Sequence, residues 1–261
     1  MILGLCCGTD ENTVKTITEI GYRYIETGIA GFIENRAALD TALRTLDKYK
    51  IRCEVGQHPF PGEYDPSGSQ SKEALEKIRE YMHRLVAASS DLNISVLVMG
   101  AGGARVLPSP DKYENAIEQM AEICKYAISP ALDEFGIIFA LEGLRQNETP
   151  IIHRTDESVK VAKIANVPNI KVMADLYHVI GEGENLDDFK NYKGYIRHAH
   201  IGKPQPRVMP SEGDGYDYKP FFEALRSANF NGRMSVEAGL SCDDYKTSLQ
   251  NAYSALEPLL W

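Results

Sequence analysis

The stretch Ile137-Ile138-Phe139-Ala140-Leu141-Glu142 is a run of five apolar residues that closes on a carboxylate. The same pattern recurs three times downstream: Lys171-Val172-Met173-Ala174 closes on Asp175, Tyr195-Ile196-Arg197-His198-Ala199 on His200, and Met234-Ser235-Val236 on Glu237. Four earlier runs complete the set, at Ile2 to Cys7, Tyr22 to Thr27, Ile51 to Gly56 and Ile94 to Met99. Each reads as a short strand bounded by turn or helix signals.

Helical stretches fill the intervals. Asp10 is a helix N-cap before Val14, Ile17 and Ile20, and Gly21 ends that helix. From Asn35 to Tyr49, Ala38, Leu39, Ala42, Leu43 and Leu46 carry helical spacing. Further helices are expected over Ser71 to Ala88, Asp111 to Glu134, 155–165, 186–192, 218–228 and 243–256. The stretch Pro59 to Gln70, rich in Pro and Gly, reads as a loop. Strand and helix alternate with no hairpin signal, which requires parallel pairing through helical crossovers. Eight such repeats give an α/β chain folded as one (β/α)8 barrel domain over residues 1–261.

In a closed parallel barrel the strand C-termini meet at one mouth, where active sites of this architecture lie. Glu142, Asp175, His200 and Glu237 would then converge from distant parts of the chain. Three carboxylates around one point repel and take up protons unless a cation joins them. Three oxygen donors and one imidazole, with no thiolate, suit Mn2+ or Mg2+, with Co2+ tolerated. Glu26, at the end of the second strand, reads as structural rather than as a ligand. His198 faces the same way as His200 but one layer deeper, as a core histidine or a partner of the ligands. His83 and His153 read as solvent-facing.

The bulk properties exclude other classes. The chain of 261 residues is 43% hydrophobic with a formal net charge of -9. That balance repels phosphate backbones, and no basic patch offsets it, so a nucleic-acid partner is not expected. No apolar stretch approaches the ~20 residues of a spanning helix, and no secretory leader pattern opens the sequence. The five cysteines, Cys6, Cys7, Cys53, Cys124 and Cys242, form no CxxC pair, and the odd count suits a reducing compartment. A cytoplasmic protein without a membrane partner is expected.

Leu141-Glu142-Gly143, Asp175-Leu176-Tyr177-His178, His198-Ala199-His200-Ile201, Gly213-Asp214-Gly215-Tyr216-Asp217-Tyr218 and Ser235-Val236-Glu237 together resemble the xylose-isomerase-like TIM-barrel family of sugar isomerases and epimerases. The segment Gly100 to Arg105 resembles a loop common in that family, and the likeness spans essentially the whole chain. The nearest match within the family is the D-tagatose and D-allulose 3-epimerase group. The resemblance implies that Glu142 and Glu237 both bind the metal and exchange protons on opposite faces of a substrate carbon. It implies that Glu148, His178 and Arg207 contact the sugar, with His58 either reaching it or capping the mouth. Phe60, Tyr177 and Tyr216 would form an apolar wall or simply pack. A homodimer or homotetramer follows by the same analogy.

The chemistry is coherent without the family. A proton next to a carbonyl is too weakly acidic for a free carboxylate, but a divalent ion on the carbonyl oxygen stabilises the enediolate that forms. Two carboxylates on opposite faces permit inversion, whereas one favours aldose–ketose isomerisation. Dehydration of a keto-inositol, hydroxypyruvate isomerisation and cleavage of a C-glycoside all begin with the same proton abstraction, so the four ligands do not separate them. An endonuclease IV-like nuclease would need further histidines, yet Met99-Gly100 follows the fourth strand and Asp214-Gly215-Tyr216 the seventh. Whether the sugar carries a phosphate is left open. Arg105, Arg145, Arg154 and Lys203 are the candidate anchors, all of a type commonly found as surface charge.

Overall fold

The computed structural model describes residues 1–61, 71–107 and 109–261; most of the loop expected over Pro59 to Gln70 lies outside them. Eight strands, β1 (Ile2–Cys6), β2 (Tyr24–Gly28), β3 (Arg52–Gln57), β4 (Val96–Met99), β5 (Ile138–Glu142), β6 (Ile170–Asp175), β7 (Ile196–Ile201) and β8 (Arg233–Val236), close into one barrel in sequence order. All pairings are parallel, and β1 seals against β8 with Gly4 opposite Ser235. The expected (β/α)8 barrel is the observed architecture.

The helices are α1 (Glu11–Ile20), α2 (Ala30–Ile33), α3 (Arg36–Tyr49), α4 (Lys72–Asp91), α5 (Tyr113–Ile123), α6 (Ser129–Asp133), α7 (Thr155–Ala165), α8 (Leu176–Gly181), α9 (Lys219–Ser227) and α10 (Tyr245–Leu256). Local chemistry sets their ends. The Asp10 carboxylate accepts the Thr13 N–H at 3.0 Å to open α1, and Gly21 closes it at φ 119°, a conformation that costs glycine little. None of these helices is long and apolar enough to cross a membrane, among the described residues.

Two expectations need correction. The single helix foreseen from Asp111 to Glu134 is broken by a π turn over Cys124–Ile128, between α5 and α6. Pro130 has no N–H to give the carbonyl of Tyr126 four residues back, and its ring crowds that carbonyl. The Arg79 guanidinium donates to the freed oxygen instead, at 2.8 Å. The other correction is that α2 and α8 form where no helix was foreseen, whereas the short helix expected near 186–192 is present as a 3-10 helix over Leu186–Tyr192.

The large apolar core lies between barrel and helices. A smaller cluster of Tyr24, Val55, Val96, Val98, Ala140 and Met173 plugs the barrel interior. Strand side chains alternate, so residue i+2 stands one layer above residue i on the same face. Glu142 therefore rises above Ala140, Asp175 above Met173, His200 above His198 and Glu237 above Ser235. The plug forms the floor of the mouth and the strand ends its wall.

Candidate active site

The C-terminal ends of β5, β6 and β7, and the residue following β8, bring Glu142, Asp175, His200 and Glu237 together. One ligand-type atom from each lies within 4.8 Å of all the others. Two ligand atoms of one divalent ion, bonded at about 2.1–2.4 Å, stand at most about 4.8 Å apart, so the spread fits a single cation. Glu142, Asp175 and His200 are buried, and Glu237 is half-buried. Buried polar atoms normally find partners, yet Glu142 Oε1 and His200 Nδ1 have none. Cationic groups already crowd the carboxylates: Arg207 Nη2 donates to Asp175 Oδ2 and to Glu237 Oε2, each at 2.5 Å. Donor set, spacing and unpartnered atoms all fit a divalent ion held by these four residues.

Electrostatics separates the two glutamates. Burial, with the nearby charges of Glu237 and Asp175, pushes the Glu142 carboxyl up to about 8. Burial raises Glu237 too, but the charges of His200 and Arg207 outweigh it and hold that carboxyl down at about 2. Burial and Glu237 raise Asp175 against the pull of Arg207. His178 is lowered to about 4, first by burial and then by the Arg207 charge.

Asp175 has a second task. Its Oδ1 accepts the Tyr177 N–H at 2.9 Å and so caps α8, the short helix that carries His178. One turn on, His178 Nε2 stands 3.5 Å from both Asp175 Oδ2 and Glu142 Oε1, and its Nδ1 lies 3.2 Å from Glu148 Oε2. Arg207 reaches the mouth because the loop after β7 is laced to the segment after β8: Met209 N–H donates to Gly239 O, and Gly239 N–H to Arg207 O. Two guanidinium groups stand over the Tyr177 ring, that of Arg207 at 4.3 Å from its centroid and that of Arg145 at 5.0 Å.

A cavity of about 310 Å³ opens above the quartet, with His58, Glu148, His178, Arg207, Glu142 and Glu237 in its wall. All the expected sugar contacts therefore face one space. Gln57 also lines it, a residue that the sequence reading passed over because it ended the third strand at Gly56. Gly100 leaves no room to spare, since a Cβ there would stand 2.1 Å from Glu142 Oε2.

The remaining candidates lie elsewhere. Arg105 is not a surface charge. It is 3% exposed, and its guanidinium donates to the carbonyls of Met99, Glu142 and Ile152 at 2.7, 2.8 and 3.2 Å, tying β4 and β5 to the loop after β5. Arg145 donates to the Tyr177 hydroxyl, Arg154 to Glu182 O and Lys203 to Asp214 O, and none of the three lines the cavity. Phe60 is buried and packs against Tyr81 and Phe139, and Tyr216 packs against Tyr218. His83 is exposed, but His153 is half-buried against Tyr113 rather than solvent-facing.

A family model described as xylose isomerase-like TIM barrel matches residues 14–256. The chain belongs to the xylose isomerase-like TIM barrel family. Among curated proteins, a D-psicose 3-epimerase from Ruminiclostridium cellulolyticum is 29% identical over 126 residues, covering 48% of this chain and 41% of the relative. The stretch matched in that relative is thus less than half its length. A D-psicose 3-epimerase from Agrobacterium fabrum is 23% identical over 234 residues, 86% of this chain and 77% of the relative. Among solved structures, a 3-keto-D-glucoside 4-epimerase from E. coli superposes with a TM-score of 0.81 at 17% identity, covering 99% of both chains. That likeness shows the barrel that this member of the xylose isomerase-like family shares with it.

Proposed function

We propose that the protein is a divalent-metal-dependent sugar epimerase that inverts C3 of a ketose by proton transfer between Glu142 and Glu237. The observation that carries this reading is the convergence of two glutamates, from β5 and from the end of β8, on one four-residue cluster, with both glutamates lining the cavity. The relatives named D-psicose 3-epimerase support the same reading. Held by Glu142, Asp175, His200 and Glu237, an ion of the Mn2+ type (Mg2+ or Co2+ in its place) supplies Lewis-acid stabilisation of negative charge developing on substrate oxygen.

The chain's own residues do the rest. One glutamate removes the C3 proton while the other, on the opposite side of the sugar, returns a proton to the far face. Glu148 and His178 take up sugar hydroxyls as a linked pair, and Arg207, already bonded to Asp175 and Glu237, donates to a substrate oxygen over the same face. His58 and Gln57 close the other wall.

Turnover of D-fructose and D-tagatose in D2O tests the proposal. Product deuterated at C3 is expected, and each of Glu142→Gln and Glu237→Gln should lower kcat about 10²–10⁴-fold. An aldose product deuterated at C2 would make the enzyme an aldose–ketose isomerase instead, and near-full activity of Glu237→Gln would end the two-carboxylate mechanism.

A further inference from the structure

Beneath the quartet lies a charged residue that the proposed reaction does not use. Glu26, inside β2, is 0% exposed. Its Oε1 stands 2.9 Å from His200 Nε2 and its Oε2 2.8 Å from His198 Nε2. A carboxylate has no proton to give, so each ring nitrogen facing it must be the donor. A buried charge survives only where partners replace its lost water, and these two N–H groups are the partners.

We infer that Glu26 is the positioning residue of the metal centre, fixing His200 with its proton on Nε2 so that Nδ1 is presented to the cation. The remaining geometry agrees. His200 Nδ1 points to the upper side, 3.2 Å from Glu237 Oε2 and 3.9 Å from Glu142 Oε1, and it has no hydrogen-bond partner. His198 completes the arrangement from below. By holding the second oxygen of Glu26 it stops the carboxylate rotating, and its ring stands at 88° to that of His200 with centroids 5.0 Å apart. Glu26, His198 and His200 could themselves be taken for a second metal site. Their nitrogen–oxygen distances are hydrogen-bond lengths, however, and they consume both carboxylate oxygens. The lower layer is a support for the upper one.

This inference rests on the quartet being a metal centre and is independent of which sugar is turned over. Two measurements on the full chain test it. Long-range 1H–15N correlation of the histidine rings, with Mg2+ bound, reads which nitrogen of His200 carries the proton. Calorimetric titration with Mn2+ compares the wild type with Glu26→Gln, an isosteric change whose amide cannot accept from both imidazoles. The expected results are a proton on Nε2 and an affinity about 10–100-fold weaker in the variant, with circular dichroism unchanged. A proton on Nδ1 of His200 in the wild type overturns the inference even if the variant does not fold. So does a folded Glu26→Gln that binds Mn2+ as tightly as wild type, and so does a wild type that binds no divalent ion. Weakened Mn2+ binding in the variant with no ketose turnover by the wild type would leave the inference standing and end the epimerase reading.

Discussion

Gly100 shows how little freedom the mouth allows a single residue. A methyl group at this position would meet Glu142 Oε2 at 2.1 Å, a separation no pair of unbonded atoms tolerates, and the carboxylate is the side that can give way. Gly100→Ala should therefore weaken Mn2+ affinity at least 10-fold while changing unfolding free energy by only about 1–2 kcal/mol. Calorimetric titration beside urea unfolding measures both, and unaltered Mn2+ affinity would show that Glu142 is not confined as described. At this scale the sequence was legible wherever a ligand-type residue ended an apolar run, as at Glu142, Asp175, His200 and Glu237. Glu26 was read as structural without its partners, and Arg105 was misread as a surface charge. Both are charged residues whose burial is compensated by partners outside their own strand or turn, His198 and His200 for one and four carbonyl groups for the other. Nothing in the residues beside them announces such partners.

At the scale of the element, α7 carries a pH-dependent start. Glu184 accepts from the Thr155 N–H at 3.0 Å and the Thr155 hydroxyl at 3.1 Å, and burial lifts its carboxyl from 4.5 to about 7. A folded-state value above the unfolded one means that the folded chain holds the proton more tightly. This contribution to stability is complete below about pH 4.5 and is lost as pH rises through about 7. Glu184→Gln keeps an acceptor for Thr155 without the charge. The variant should match the wild type near pH 5 and exceed it at pH 8 by up to about 2–3 kcal/mol, as read by thermal melts at the two pH values. No gain at pH 8 would refute the assignment. Elements with sustained periodicity, such as α1, α3 and α10, were foreseen close to their bounds. The six residues of α8 were not, because a helix of that length has no period to display and owes its existence to the Asp175 cap. The π turn was hidden for a different reason: apolar spacing continues through it, and only Pro130 marks the break.

For the whole molecule, the ligands come from four consecutive positions around the barrel, so a bound cation joins β5, β6, β7 and β8 at their open ends. An ion that binds the folded chain and not the unfolded one adds about 2.7 kcal/mol at a hundred times its dissociation constant. For a chain of 261 residues that corresponds to a rise in Tm of about 5–10 °C. Melting in EDTA and then in saturating Mn2+ should show it, and coincident curves would mean that the four side chains hold no ion. The barrel itself was readable from the outset, since alternating strand and helix leave few other closed arrangements. The side chains that shape the cavity were only partly so: Gln57 is the last residue of β3, one beyond the expected end of that strand, and Arg207 owes its place to a loop whose path depends on contacts such as Met209 with Gly239.

Because one oxygen of Asp175 initiates α8 while the other faces the mouth, the imidazole of His178 is set out from its carboxylate neighbour by the pitch of a helix, about 1.5 Å of rise per residue over three residues. No flexible connection intervenes. Insertions and deletions in the surrounding loops can redraw the outline of the chamber, and with it the molecules admitted, while that spacing stays as it is. A lineage built on this barrel is thus at liberty to change its diet without recalibrating its chemistry.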